Sequence, residues 1–399
     1  MDGRAEGRAQ AITRKSLPPP ADELEHRLLT HRSPGLAGLG LPPDLVLPDY
    51  ARSIANLPAT VAAMLGANLP GALTALPGAW WEPLAPGVKR VVLLILDAVG
   101  WLHFRQYLSQ EGGSVFHRLA GQGHLLPISS IFPGTTTVAL TSLWTGHSAA
   151  GHGLVGHDLF FPSLGMMVDT LGFTPAGEPR DERLIEGGLV PETLVPVQGL
   201  AQLLAGQGIS TQVLIHRSFA ESGLSRLQFR GASRVDGFAS TADLCVALRD
   251  RLSEQRDERR LLVVYWANMD TIGHLRGPDS AAWPIAPARR RKGSLFPLRF
   301  MIRLLISQEN RSGFLCWNKA GLSKVRTRRN VSLPGIPCGN ARCPFNHRSF
   351  RFAQLAIAVG PSAVAITAQM AITITSPSRW SRLTSDRGSG KTARLSPSL

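Results

Sequence analysis

Cysteine is scarce in this 399-residue chain: there are four, with Cys245 alone in the first part and Cys316, Cys338 and Cys343 in the last third. That spacing excludes a disulfide framework as the source of stability. No apolar run reaches the length of a membrane span. The opening MDGRAEGRAQAITRKSLPPP contains no apolar segment of the kind a secretory signal needs, so the expected location is cytoplasmic. Acidic residues are the third shortage, and a local one. Residues 281–399 hold 20 Lys and Arg against Glu309 and Asp386, a charge of +18. Residues 1–280 hold 23 against 26, a charge of −3. The overall charge of +15 therefore belongs to the tail, which argues against a nucleic-acid-binding role for the chain as a whole.

The apolar fraction, 44%, is ample for a core. Residues 1–47, rich in Pro, Gly, Arg and Glu, read as a loose leader, and residues 50–76 as short helices broken by Leu-Pro and Gly. The runs VVLLIL, HLLPISSI, TQVLIH and LLVVYW read as strands, the first and last apolar enough to be buried on both faces. Between them, LHFRQYLSQ, VQGLAQLLAGQG and TADLCVALRDRLSEQ read as helices, the last with Thr241 as its N-cap. Strands alternating with helices imply an α/β domain, residues 48–283, around a mostly parallel sheet. After Trp283 neither period is sustained, and residues 284–399 read as a basic, poorly ordered tail.

Two strands deliver carboxylates. Asp97 directly follows VVLLIL; Asp270 comes shortly after LLVVYW, with His274 four residues on. In open parallel sheets, sites form outside the carboxyl ends of the strands. Two acids facing one crevice need a positive partner, and a divalent metal accepts both oxygen and imidazole. The plainer role for such an Asp is a helix N-cap. Between the strands lies IFPGTTTVALTSLWTGHSAAGHG, residues 131–153. Its threonines fall at the end of a turn and the start of a helix, where unpaired N–H groups bind anions. A threonine is a poor nucleophile until a metal lowers its pKa. Alternatively, the hydroxyls serve only as caps.

Together LILDAVG, FPGTTTVALTSLWTGHSAAGHG and DTIGHLRGP, spanning residues 91–278, resemble the alkaline phosphatase superfamily in its type I phosphodiesterase/nucleotide pyrophosphatase branch. The resemblance implies an alkaline phosphatase-like parallel sheet and a phosphoric-ester hydrolase acting on a phosphate ester or nucleotide. It implies two divalent metal ions, of the zinc type, one held by Asp97 and Thr136, the other by Asp270 and His274. Thr136 would be the nucleophile and pass through a phosphothreonine. Thr135 and Thr137 would shape and cap the helix start, and Thr135, Trp101 and His152 could touch substrate. In this pattern Thr145-Gly146 and His152-Gly153 fall on the family's Thr-Gly and His-Gly.

There are departures. Phosphodiesterase members carry Asn three residues after the nucleophile, where this chain has Ala139, and Gly is common where it has Ala98. The family's Asp-His pair and final His should follow Asp270, but only His347 follows His274, and SDRG at 385–388 has Arg where a ligand belongs. Arginine does not coordinate zinc. The fold is accordingly expected to be incomplete at its C-terminal end, and a frame shift near residues 280–290 would account for it. Re-read from the third base of each codon, Gln369–Thr375 gives Asn or Asp, then Gly, then codons confined almost wholly to His, Asn, Asp and Tyr. Other tail signals are weak: the cysteines fit no common zinc module, GSGKT lacks its first glycine, and Arg289–Lys292 is an ordinary solvated run. Two rival readings stand beside the hydrolase: an inactive truncated homologue, and a basic protein that binds nucleic acid through its tail.

Overall fold

The computed structural model describes residues 20–33, 35, 38–40, 45–110, 123–254, 258–277 and 280, with two strands from the tail, Gln354–Val359 and Ser362–Gln369. Its strands are β1 (Arg90–Asp97), β2 (Gly123–Ile128), β3 (Asp158–Phe161), β4 (Met166–Asp169), β5 (Thr174–Pro175), β6 (Ser210–His216), β7 (Arg234–Phe238), β8 (Arg260–Trp266), β9 (Gln354–Val359) and β10 (Ser362–Gln369). Its α-helices are α1 (Ala21–Leu29), α2 (Leu57–Met64), α3 (Trp101–Gln110), α4 (Thr136–Thr145), α5 (Ala149–His152), α6 (Arg183–Glu186), α7 (Leu200–Ala205), α8 (Gly223–Gln228), α9 (Thr241–Ser253) and α10 (Asn268–Arg276).

The central sheet has the order β10-β1-β8-β6-β7, every described pair parallel. The near-continuous apolar runs of β1 and β8 are buried along their length, as a sheet covered on both faces requires. Val91, Leu93 and Ile95 of β1 join one core cluster with Val61 of α2, Val138 and Leu143 of α4 and Leu200 of α7. The alternate residues Val92, Leu94 and Leu96 are buried too, as are Phe104 of α3 and Leu244 and Leu248 of α9. A small antiparallel sheet, β3-β4-β5, has its own core of Leu154, Phe173, Val195, Leu224 and Leu227.

Several expectations need correction. In the tail, expected to be poorly ordered, two strands are described: β10 pairs with β1 in register from Arg90–Ser362 to Asp97–Gln369, and β9 pairs antiparallel with β2. Within β10, Ala363–Ile366 is a continuous apolar run, which suits a strand beside β1. The leader is not wholly loose. Leu24 and Leu28 give α1 a buried stripe, and its buried Glu25 accepts hydrogen bonds from Trp101 Nε1 at 2.6 Å and Arg105 Nη1 at 2.5 Å. The N-cap of α9 is Ser240, one residue before Thr241; its Oγ accepts from the Asp243 N–H at 3.2 Å. Among the described residues no helix is long and apolar enough to cross a membrane.

Candidate active site at the carboxyl ends of the sheet

Helix α4 is buried almost all round, so its polar residues must be satisfied internally. Thr141 Oγ1 donates to the Thr137 carbonyl at 2.7 Å and Thr145 Oγ1 to the Thr141 carbonyl at 2.8 Å. The helix stops at Gly146, whose φ of +73° suits glycine, and a Cβ there would lie 2.8 Å from Ala72 Cβ. At its other end Thr135 is the N-cap and Thr136 the first helical residue. The expected capping does not occur: Thr135 makes no side-chain cap bond, and Thr135 Oγ1 and Thr137 Oγ1 are buried without hydrogen-bond partners.

Asp97 closes β1 and is buried. Its Oδ1 accepts from the Ala98 N–H at 2.9 Å and its Oδ2 from the Tyr265 hydroxyl at 2.5 Å. Burial pushes the Asp97 carboxyl up to about 7; the charge of Asp270 adds to the push, and the two hydrogen bonds oppose it. Tyr265 is itself held well above its usual range by burial and by the Asp97 charge, so it keeps its proton and donates it. Asp270 lies in the first turn of α10. Burial raises its carboxyl, while His274 and His157 draw it back. His274 Nε2 is 3.5 Å from Asp270 Oδ1, on an imidazole that is 66% exposed.

Thr136 and Asp270 share the wall of a cavity of about 660 Å³, reached also by Ile95, Ile215 and Tyr265 from the carboxyl ends of β1, β6 and β8. The remaining substrate candidates have other work. Trp101 is buried against Glu25. His152 is fully buried at the end of α5; its Nδ1 accepts from the Leu154 N–H at 3.2 Å, so Nε2 carries the proton and donates to Ser142 Oγ at 3.0 Å. Ala139 lies in the core and leaves no polar group at the position of the absent Asn.

Residues 91–289 match the profile of the family described as type I phosphodiesterase / nucleotide pyrophosphatase. They belong to that family. The phosphodiesterase match ends where the charge balance of the chain changes. The alkaline phosphatase PafA of Elizabethkingia meningoseptica is 32% identical over 93 residues, 23% of this chain and 17% of that protein. Among solved structures, murine ectonucleotide pyrophosphatase / phosphodiesterase 5, as an inactive variant in complex with AMP, superposes with a TM-score of 0.41 at 18% identity, over 56% of this chain and 53% of that one. Phosphonoacetate hydrolase from Sinorhizobium meliloti gives 0.39 at 15% identity, over 57% and 54%. The chain thus spans about half the length of these structures and less of the curated relative.

Asp97, Thr136, Asp270 and His274 are the candidate metal donors among the family-matched residues. Their chemistry fits a divalent cation: Asp97 is buried and Asp270 half-buried, the charge of Asp270 opposes ionisation of Asp97, and a cation between them would offset that conflict. Their number fits only in part, because no three His, Cys, Asp or Glu among the described residues come close enough to hold one ion. Three residues near the site escaped sequence reasoning. Tyr265 read as core because it sits inside an apolar strand, and its phenol was the available signal. His157 and Gln228 carried no motif, and only the folded chain brings them near.

Proposed function

We propose that the domain is a metal-dependent phosphoric-ester hydrolase of the phosphodiesterase/nucleotide pyrophosphatase type, with Thr136 as nucleophile. The observation that carries this is the placement of Thr136, at an uncapped helix N-terminus, on the same cavity wall as Asp270. A tetrahedral phosphate set against that terminus meets free backbone N–H groups and the positive end of the helix dipole. The orphaned hydroxyl of Thr135 supplies one more donor.

Asp97 with Thr136, and Asp270 with His274, are the residues that would hold two ions, and the mixed oxygen and imidazole donors suit zinc. Bound there, the metals supply Lewis-acid stabilisation of the attacking and leaving oxygens. The Thr136 oxygen forms its bond to phosphorus as the ester bond on the opposite side breaks. The leaving group departs as an alcohol with its proton. Water then cleaves the phosphothreonine and regenerates the hydroxyl. Tyr265 positions Asp97 by donating to one carboxylate oxygen, while the Ala98 N–H holds the other.

A second reading is an inactive homologue with half a metal site, in which the four donors Asp97, Thr136, Asp270 and His274 are the whole set. One experiment separates the two: hydrolysis of bis-(p-nitrophenyl) phosphate by the full chain with added zinc, beside Thr136→Ala. Turnover that falls at least a thousandfold in the variant supports the nucleophile. Equal turnover in both sinks it. No turnover in either selects the inactive homologue.

A further inference from the structure

A second cavity lies at the amino ends of the strands, on the side of the sheet away from Thr136. It measures about 530 Å³ and is lined by Ser210 and Gln212 of β6, Ser233 and Arg234 at the start of β7, and Glu254 and Glu258 between α9 and β8. β6 is seven residues long, from Ser210 to His216. At about 3.3 Å per residue the two ends of the strand are ~20 Å apart. A molecule held here would leave the cavity beside Thr136 open.

All six lining side chains are polar, whereas a mere packing gap is lined by apolar groups and stays dry. Two of them are poorly satisfied. Ser210 Oγ is buried and has no hydrogen-bond partner. Gln212 is 7% exposed, and its Oε1 accepts from Arg260 Nη1 only at 3.5 Å, beyond the usual range. Buried polar groups are ordinarily hydrogen-bonded. Ser210 and Gln212 are two apart on one strand and so share a face, which makes them a pair of free partners for a bound molecule.

The charges of the wall are segregated. β6 lies between β7 and β8, with Gln212 opposite Arg234 and Ser210 opposite Arg260. On the β7 side Arg234 gives its Nε to Asp236 Oδ1 at 2.9 Å, which leaves its two Nη groups for another acceptor. On the β8 side Glu254 Oε1 accepts from Arg251 Nη1 at 2.5 Å, which leaves Oε2, and Glu258 is exposed. A simple anion would gain Arg234 and meet two carboxylates; a simple cation would have the reverse conflict. A molecule carrying both signs matches both sides. Two strand spacings set the sides roughly 10 Å apart. With a charge-assisted contact of about 2.8 Å at each end, ~4–5 Å remains between the charges of the ligand.

We propose that this cavity is a binding site for a small amino-acid zwitterion, its carboxylate against Arg234 and the Ser210 hydroxyl and its ammonium against Glu254 and Glu258. The site is separate from the hydrolase reading and does not depend on it.

The test is calorimetric titration of the full chain, at low salt, with 4-aminobutanoate, butanoate and butylamine, which share a chain length and differ in charge. 4-Aminobutanoate is expected to bind at least fivefold tighter than either of the others. Arg234→Gln should bring 4-aminobutanoate down to the level of butylamine and leave butylamine itself unchanged. Glu258→Gln should weaken 4-aminobutanoate and butylamine about threefold or more and leave butanoate no weaker. Both side chains lie at exposed positions, so both variants are expected to fold. Ser210→Ala should weaken 4-aminobutanoate about threefold, and Thr136→Ala should leave it unchanged, which separates this site from the one at the other end of the sheet. No binding of 4-aminobutanoate, binding no tighter than that of butanoate or butylamine, or indifference to both Arg234→Gln and Glu258→Gln overturns the proposal.

Discussion

The imidazole of His152 shows how one buried side chain ties stability to pH. Burial, helped by the nearby His147, lowers its pKa from 6.5 to about 4, against a pull upward from the Val138 backbone. The unfolded chain therefore binds the extra proton between these values and the folded chain does not. Stability contributed by neutral His152 is complete above pH 6.5 and is lost as pH falls toward 4, by up to about 3 kcal/mol. Asp97 shifts in the opposite sense over an overlapping range, so the useful quantity is a difference. Urea unfolding of the parent and of His152→Gln should give free energies that converge as pH drops from 7 to 4; a constant gap would show that His152 does not titrate in this way. Ala98 offers a second residue-scale test. Its φ of +58° is a left-handed conformation, which costs a residue with a Cβ about 1–2 kcal/mol, while glycine loses about 0.5–1 kcal/mol more chain entropy on folding. The first effect wins, so Ala98→Gly should raise the free energy of unfolding by up to about 1 kcal/mol, seen as a higher urea midpoint with an unchanged slope. That also gives a physical reason why glycine is common after this aspartate. That Asp97 ends a strand and that Thr136 starts a helix was legible in the sequence, because an apolar run stops at the one and a turn gives way to a helical pattern at the other. Tyr265 was not, because its hydrogen bond to Asp97 spans 168 residues of chain.

At the scale of elements, the site depends on strands held in register at their far ends. Arg90 and Arg260 stand opposite each other at the starts of β1 and β8. Arg260 is 2% exposed, and its Nη2 donates to the carbonyls of Arg251 at 3.0 Å and Glu254 at 2.8 Å, at the end of α9. Arg90 Nη1 donates to the Leu252 carbonyl at 2.9 Å. Two guanidinium groups thus cap the negative end of one helix against the sheet. Removing Arg260 leaves buried acceptors unsatisfied at about 1–3 kcal/mol each, partly offset by no longer burying a charge. Arg260→Met is expected to destabilise the fold by about 2 kcal/mol in thermal or urea unfolding; unchanged stability would mean that the cost of burying the charge cancels its bonds. Strands β1, β6 and β8 and helices α3, α7 and α9 could be read from apolar runs and period, whereas β3, β4 and β7 are only partly buried and carried no such pattern. The arginine clamp could not, since periodicity reports burial and says nothing of what a buried charge holds.

For the whole molecule, the question is what completes the sheet. β7 flanks β6 at one side, and β10, from the basic last third, pairs along the full length of β1 at the other. Composition separates that third from the family-matched residues 91–289, and this is why the sequence leads to the expectation of a fold incomplete at its C-terminal end. The pairing has a mechanical consequence for the site, because Asp97 is the last residue of β1 and stands opposite Gln369. A chain ending at residue 283 would lose a partner strand in register over eight positions, at about 0.5–1.5 kcal/mol net for each inter-strand hydrogen bond. It would also bare the backbone donors and acceptors of an apolar strand, a template for association with other copies. Truncation after residue 283 should therefore lower the melting temperature and shift the protein toward large species in light scattering, while the full chain stays smaller under the same conditions. If the truncated chain instead melts as sharply as the full one and remains monomeric, β1 does not need β10. The basic third would then be an appendage, and the aspartate at the end of β1 would be held by β8 and Tyr265 alone.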